Sequence, residues 1–490
     1  MKTKISEITS SIHILQKSKI HLKNQVMGKT SSIKTLLLIT FFICRFLLTN
    51  ANQKPNIVII ITDQQFADAM SCAMGDQYIH TPNMDRLAEK GIRFTHAYSP
   101  NPLCLPMRTS MMTGRFPHET GILNNGDKNL DASQQVFLGK IFKDAGYETG
   151  YFGKWHVPLD EEEKEIHGFD IFYGDKTKLD AEPAVEFIKQ KHEKPFFAVA
   201  SFLSPHEICQ WARKEELPGG PINELPPEEE LPPLKKNFAI PQNETDIMTF
   251  MRKSYQAHRL FPVGDYTNHD WRRLIWGYYR LIERADEFVG EVVDAVYESG
   301  QEKNTVIVFL ADHGDCAGSH HWNQKTVFYD ESVRVPFIVS WDGKTEGKTS
   351  DVLLNTGIDM IPTLCEFAGI KNDFGIHGKS LYPVIMGTEV NIPREFIVSE
   401  NHMVQNEPVD GAFYQPHGRM VLSNDYKYCL YSEGKKRESL VDMKYDALEM
   451  VNQAENPVYK KILEQHRNYL RQHAKQTNDK RALKMLAELK

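Results

Sequence analysis

The sequence predicts an α/β fold: a large, mostly parallel sheet between helix layers, followed by a smaller C-terminal α+β subdomain. Three observations predict it. Residues 56–62, 196–203 and 305–310 are unbroken apolar runs, as in central strands covered on both faces. Helical periodicity recurs between them, most clearly over residues 271–299. Beyond about Pro393 the texture changes to short strands and a polar terminal helix.

At 490 residues the chain exceeds the roughly 300 that one core usually serves. The expected division is residues 1–51 as a leader, 52–392 as the α/β domain and 393–490 as the subdomain. A net charge of −7 without a dense basic run argues against nucleic acid as a partner. At the N-terminus, lysines at positions 17, 19, 23, 29 and 34 precede an apolar run over 36–48, and Thr49, Asn50 and Ala51 offer a small-residue cleavage site. That run is short for a bilayer span, so a cleaved signal is expected, with Met27 as an alternative start. A periplasmic or secreted protein with no stable membrane span is then expected, a single anchor being the other reading. Cys44 lies in the leader. The other six cysteines show no framework spacing and no C-x-x-C pair, which leaves room for one disulfide and gives no sign of zinc.

In chain order, the strand over 56–62 leads straight into Asp63 and Gln64, at the carboxyl end where open α/β sheets gather function. Pro82 near its start and Gly91 past its end delimit a short helix, and residues 92–98 read as a strand. The run 100–114 then places Cys104 two residues before Pro106 and four before Arg108. This puts the thiol at the mouth of a helix, in its positive dipole and one turn from a guanidinium, a place for an anion. For C-x-P-x-R alone, a buried structural cysteine is the competing reading. Residues 134–145 read as helix and 147–152 as a strand ending at Lys154 and His156. The 196–203 strand ends at His206. Residues 215–246, rich in Pro and Glu, read as an extended surface excursion, either shaping a cleft or inert. The 305–310 strand leads into Asp312 and His313, then a strand over 335–341 and a helix over 358–368 complete the alternation. Short strands over 396–399, 420–423 and 427–431 and a helix from Pro457 make the subdomain.

Taken together, C-x-P-x-R at Cys104, GYETGYFGKWH over 146–156, Ser-Pro-His ending at His206, Asp312-His-Gly and NQKTVFYDES over 323–332 resemble, in order, the signatures of the formylglycine-dependent (type I) sulfatases of the alkaline phosphatase superfamily. The resemblance runs from about Lys54 to Ala454. It implies that a maturing enzyme oxidises Cys104 to 3-oxoalanine (formylglycine), whose hydrate attacks sulfur. It also implies roles for Arg108 in keeping the site electropositive, Lys154 in binding sulfate, His156 as the base that releases sulfate, His206 as the acid for the leaving alcohol, and Lys325 as a bridge between sulfate and leaving oxygen. Asp63, Gln64, Cys104, Asp312 and His313 are the implied metal ligands. The family usually carries a second Asp where Gln64 stands. Oxygen donors favour a hard cation, so Ca²⁺ is expected ahead of Mg²⁺. His320, His321 and Trp322 are near enough to Lys325 to be substrate contacts or a plain surface turn. The expected substrate is a sulfated carbohydrate of ulvan, carrageenan or glycosaminoglycan type. The alternatives are a phosphonate monoester or phosphodiester hydrolase of the same superfamily and an inactive glycan-binding homologue.

Overall fold

In the computed structural model, which describes residues 54–404 and 406–489, the first apolar run becomes β1 (Asn56–Thr62), buried throughout. The remaining strands are β2 (Gly91–Phe94), β3 (Ala97–Tyr98), β4 (Glu148–Gly153), β5 (Ile171–Phe172), β6 (Phe196–Ser201), β7 (Thr305–Ala311), β8 (Phe337–Trp341), β9 (Lys348–Ser350), β10 (Leu354–Asn355), β11 (Ile397–His402), β12 (His417–Leu422), β13 (Tyr426–Tyr431) and β14 (Glu438–Asp442). Eight form one sheet in the order β5-β4-β6-β1-β7-β8-β2-β9. The part from β5 to β7 is parallel, as expected. β8 runs antiparallel to both neighbours, so the sheet as a whole is mixed.

Alternation along β1 explains why the sheet needs cover on both sides. Ile57, Ile59 and Ile61 pack with Met107 and Met111 of the Cys104–Thr113 helix and with Met360 and Leu364 of the Thr356–Phe367 helix. Val58 and Ile60 face the other way, toward Leu274, Tyr278 and Ile282 of the Asn268–Glu298 helix. Each such residue contributes about 1.5–3 kcal/mol by burial, so an unbroken apolar strand specifies a three-layer sandwich. The long helix begins at Asn268, three residues earlier than periodicity indicates, because Thr267 and Asp270 form a capping box before the apolar stripe starts.

Several expectations are corrected. The strand expected over 92–98 breaks after Phe94, and β3 leaves the large sheet to pair with β10. The helix expected over 134–145 is a short turn at Ala132–Gln134 followed by Leu138–Asp144. The Cys104 helix has no solvent face, since all ten of its residues are buried between sheet and helix. The 215–246 excursion runs over the surface as expected and is strapped onto the long helix: Arg272 donates to the carbonyls of Glu228, Leu231 and Pro232, and Arg284 to those of Gly220 and Pro221. His320 and Trp322 are buried rather than in a surface turn: the His320 ring stacks on Tyr329 and meets the Asn237 amide, and Trp322 packs on Tyr255. The six cysteines among the described residues are unpaired.

C-terminally, β11-β12-β13-β14 form an antiparallel sheet. The helices Lys460–Gln476 and Lys480–Ala487 pack on it through Leu463, Leu470, Met485 and Leu486. Pro55–Lys490 is one compact unit. The leader expected over 1–51 lies outside the described residues, among which no helix is long and apolar enough to cross a membrane.

Candidate active site

The parallel neighbours β4, β6, β1 and β7 deliver the residues just beyond their carboxyl ends to one edge of the sheet. Asp63 and Gln64 come after β1, Lys154 and His156 after β4, His206 after β6, and Asp312 and His313 after β7. Cys104 begins its helix beneath that edge, and the 323–326 loop delivers Lys325. Gln64, His156, Gln324 and Thr326 have φ of 72°, 45°, 75° and 74°, so left-handed backbone is concentrated here, the kind of local strain that gathers at functional sites.

Cys104 Sγ lies 3.1 Å from His313 Nε2, 3.1 Å from Lys325 Nζ and 3.9 Å from Asp63 Oδ1. His156 and His206 stand near enough to this thiol for their ionisation and its own to be linked. Burial opposes its ionisation, yet Lys154, Lys325 and His313 hold it well below the ordinary thiol range. The place where a nucleophile would stand is therefore strongly electropositive. Burial, then Lys154 and Lys325, lower the His206 pKa to about 4, so this imidazole is neutral at physiological pH.

Arg108 organises the acidic side. Its Nε donates to Asp312 Oδ2 at 2.9 Å and a terminal nitrogen to Asp63 Oδ2 at 3.0 Å. The other terminal nitrogen reaches Ser201 Oγ and the Lys154 carbonyl. Asp63 also pairs with Lys154. Burial opposes ionisation of Asp63, but Lys154, His206 and Arg108 hold its carboxyl far below the usual range. Asp312 is pushed upward, by burial first and then by the charge of Asp63.

These residues fit a hard divalent cation. Candidate ligand atoms of Asp63, Cys104, Asp312 and His313 lie within 4.8 Å of one another, all buried. Arg108 occupies Oδ2 of each acid, which leaves Oδ1 of Asp63 toward Cys104, while Oδ1 of Asp312 takes the backbone N–H of Gln64 and of His313. His313 Nδ1 lies 2.9 Å from the Gly314 carbonyl, which fixes the ring with Nε2 toward the cluster. Two buried carboxylates this close, one pushed upward by the other, are relieved by a cation. Gln64 Oε1 lies 2.6 Å from Lys325 Nζ, on the same side as the thiol.

The catalytic and metal-ligating candidates from the sequence are therefore gathered at one edge of the sheet, and His320 and Trp322 are not among them. Sequence reasoning missed four that hold them: Ser201 on Arg108, Asp315 and Gln324 on Gln64, and Asn125, whose Oδ1 accepts the Leu105 N–H beside Cys104. Asp315 stands in the ADHGD run after β7 and could have been flagged as a second acid there. The other three carry no local signal.

A family model described as Sulfatase matches residues 55–370, and one described as N-sulphoglucosamine sulphohydrolase, C-terminal, matches residues 318–476. The chain is 32% identical over 461 residues to a Delta 4,5-hexuronate-2-O-sulfatase of Bacteroides thetaiotaomicron, covering 89% of this chain and 92% of that protein. It is 29% identical to an ulvan-active sulfatase of Formosa agariphila, covering 85% of this chain and 82% of that one. A solved structure of a 2-O GAG sulfatase superposes with a TM-score of 0.76 at 28% identity, over 87% of this chain and 93% of that one.

Proposed function

The chain belongs to the sulfatase family and is a sulfuric ester hydrolase, and from that premise we propose that it removes a 2-O-sulfate from an unsaturated hexuronate in a glycosaminoglycan-type oligosaccharide. The reading is supported by the near full-length similarity to a relative bearing that activity in its name. The similarity to an ulvan-active relative keeps a sulfated marine polysaccharide as the second reading. The observation that carries the chemistry is the meeting of Lys325 and His313 on Cys104 beside the buried carboxylates of Asp63 and Asp312.

In this reading a maturing enzyme converts Cys104 to 3-oxoalanine (formylglycine), and the hydrated aldehyde provides the attacking oxygen. Ca²⁺, with Mg²⁺ the smaller alternative, would be held by Asp63, Gln64, residue 104, Asp312 and His313, and supplies positive charge beside the nucleophile and the sulfate. Lys154 and Lys325 draw the sulfate oxygens in and hold sulfur in line with the nucleophile. His206 protonates the sugar oxygen as the S–O bond breaks with its electron pair on that oxygen. An arriving sulfate anion offsets Lys154 and Lys325 and so raises the proton affinity of His206 when it is required. His156 would take the proton from the hydroxyl of residue 104, the base-assisted chemistry by which an aldehyde hydrate gives up inorganic sulfate. Arg108 bridges Asp63 and Asp312 and favours the ionised form of each.

The test is sulfate release from an unsaturated 2-O-sulfated disaccharide by protein produced with a maturing enzyme, with Cys104→Ala as control and the mass of the peptide containing position 104 as the measure of conversion. Release from another position of the sugar, or faster turnover of an aryl phosphodiester than of the matched aryl sulfate, overturns the substrate assignment. An intact thiol in fully active protein overturns the nucleophile. Export through the leader is part of the same proposal, and a mature N-terminus at Asn52 in the exported fraction is its expected sign.

A further inference from the structure

We propose that Asp315 is a positioning residue that fixes the orientation of the Gln64 amide, so that Gln64 turns oxygen rather than nitrogen toward the cation site; this rests on the cation reading above. Gln64 is fully buried just past β1 and is gripped from two sides. Lys325 Nζ lies 2.6 Å from one end of its amide, and Asp315 Oδ2 lies 2.6 Å from the other. An ammonium only donates, so the atom facing Lys325 must be Oε1, and the NH₂ must then find acceptors on the far side. Asp315 Oδ2 is one, and Gln324 Oε1, at 3.4 Å, is the other.

Asp315 cannot turn away from this duty. Its Oδ1 accepts the backbone N–H of Ala317 at 2.7 Å and of Gln324 at 3.2 Å, which aims Oδ2 at Gln64. Asp315 is itself 1% exposed and lies behind the amide, on the side away from Lys325. It acts on the site through Gln64 and, by the Gln324 N–H it accepts, through the loop that delivers Lys325. The orientation matters because an amide oxygen ligates a hard cation and an amide NH₂ repels it. Outer groups that orient a ligand are worth about 10- to 100-fold in metal affinity.

The consequence is an invertible pair. In Asp315→Asn the two backbone N–H donors keep the side-chain oxygen, so the new NH₂ faces the Gln64 NH₂ and opposes the amide orientation that Lys325 favours. Combining it with Gln64→Glu restores the shape and total charge of the pair and returns an oxygen to the site. The measurement is Ca²⁺ affinity of the full chain by competition with a fluorescent chelator, with the unfolding temperature in EDTA reporting the fold. Asp315→Asn is expected to weaken Ca²⁺ binding at least about tenfold, and the double variant to return within about threefold of the parent. Wild-type affinity in Asp315→Asn, or a double variant no tighter than Asp315→Asn, overturns the proposal. Should Asp315→Asn fold poorly, a double variant that regains both folding and Ca²⁺ affinity supports the pairing, and one that regains folding alone overturns it. Parent protein that releases sulfate but binds no Ca²⁺ removes this proposal and leaves the sulfatase reading standing.

Discussion

At the scale of single residues the site is a problem in holding like charges together. Lys154, Lys325 and Arg108 stand against Asp63, Asp312 and Asp315, all buried: Lys154 and Arg108 pair with carboxylates, Lys325 donates to Gln64 Oε1, and Asp315 accepts backbone N–H groups. Burying such charges unpaired would cost several kcal/mol each. Their arrangement in one network is what makes an anion-binding pocket stable in the absence of the anion. His206 provides the sharpest test of proposed chemistry. Replacing His206 with Ala should lower kcat on a sugar sulfate by about 10²- to 10⁴-fold. The loss should be much smaller on an aryl sulfate with an acidic phenol, whose leaving oxygen needs little protonation. Equal losses on both substrates would remove His206 from the role of acid. Most of these residues were legible in the sequence because each directly follows a strand or sits in a dense motif. Ser201 and Gln324 were not, because their importance arises only when Arg108 and Gln64 arrive from other parts of the chain.

At the scale of elements, the delivery of Lys154 depends on how closely β4 approaches β6. Gly153 has φ of 100°, and a Cβ placed on it would lie 1.9 Å from the Ser201 carbonyl oxygen. That same carbonyl accepts the Lys154 N–H at 2.8 Å. Gly153→Ala must therefore push the two strand ends apart at the point where the lysine enters the site. A stability loss of about 3 kcal/mol or more is expected from urea unfolding, with a rise in KM for sulfate esters. An unchanged midpoint would show that the strand ends can separate freely. The Cys104 helix makes the complementary point. Its start was legible from Pro106 and its end from Gly114, but its burial on all sides was not. Thr109 and Thr113 need no solvent, because their hydroxyls are satisfied by the carbonyls four residues back, at Leu105 and Thr109.

At the scale of the whole molecule, the C-terminal sheet and helices are tied to the segment that follows the Cys104 helix. His118 Nδ1 meets Glu400 of β11 at 2.5 Å, and Arg419 of β12 binds Asp479 between the last two helices. Burial disfavours charge on His118, but Glu400 and Asp479 overcome it and raise its pKa to about 9. Because this lies above the ordinary value of 6.5, the tie contributes fully below about pH 6.5 and is lost as pH rises through 9. His118→Gln should therefore cost on the order of 2 kcal/mol at pH 6 and little at pH 10, measured by thermal unfolding. A cost that does not shrink with pH would show that the contact is packing alone. His417 and His473 act in the opposite sense. Burial first, then neighbouring positive charge, lowers both to about 3, so their contribution is present above about pH 6.5 and declines as pH falls below it.

The sequence by itself determined the α/β class, the strands at the centre of the sheet and which charged and nucleophilic candidates the strand ends carry, because burial on both faces and the chemistry of a charged site each leave a local trace in residue type. Only the tertiary structure decided the reversal of β8, the departure of β3 from the sheet, the burial of His320 and Trp322, and the pairing of Asp315 with Gln64 across 251 residues of chain. Those outcomes depend on which distant surfaces meet, and no window along the chain contains both partners of such a contact.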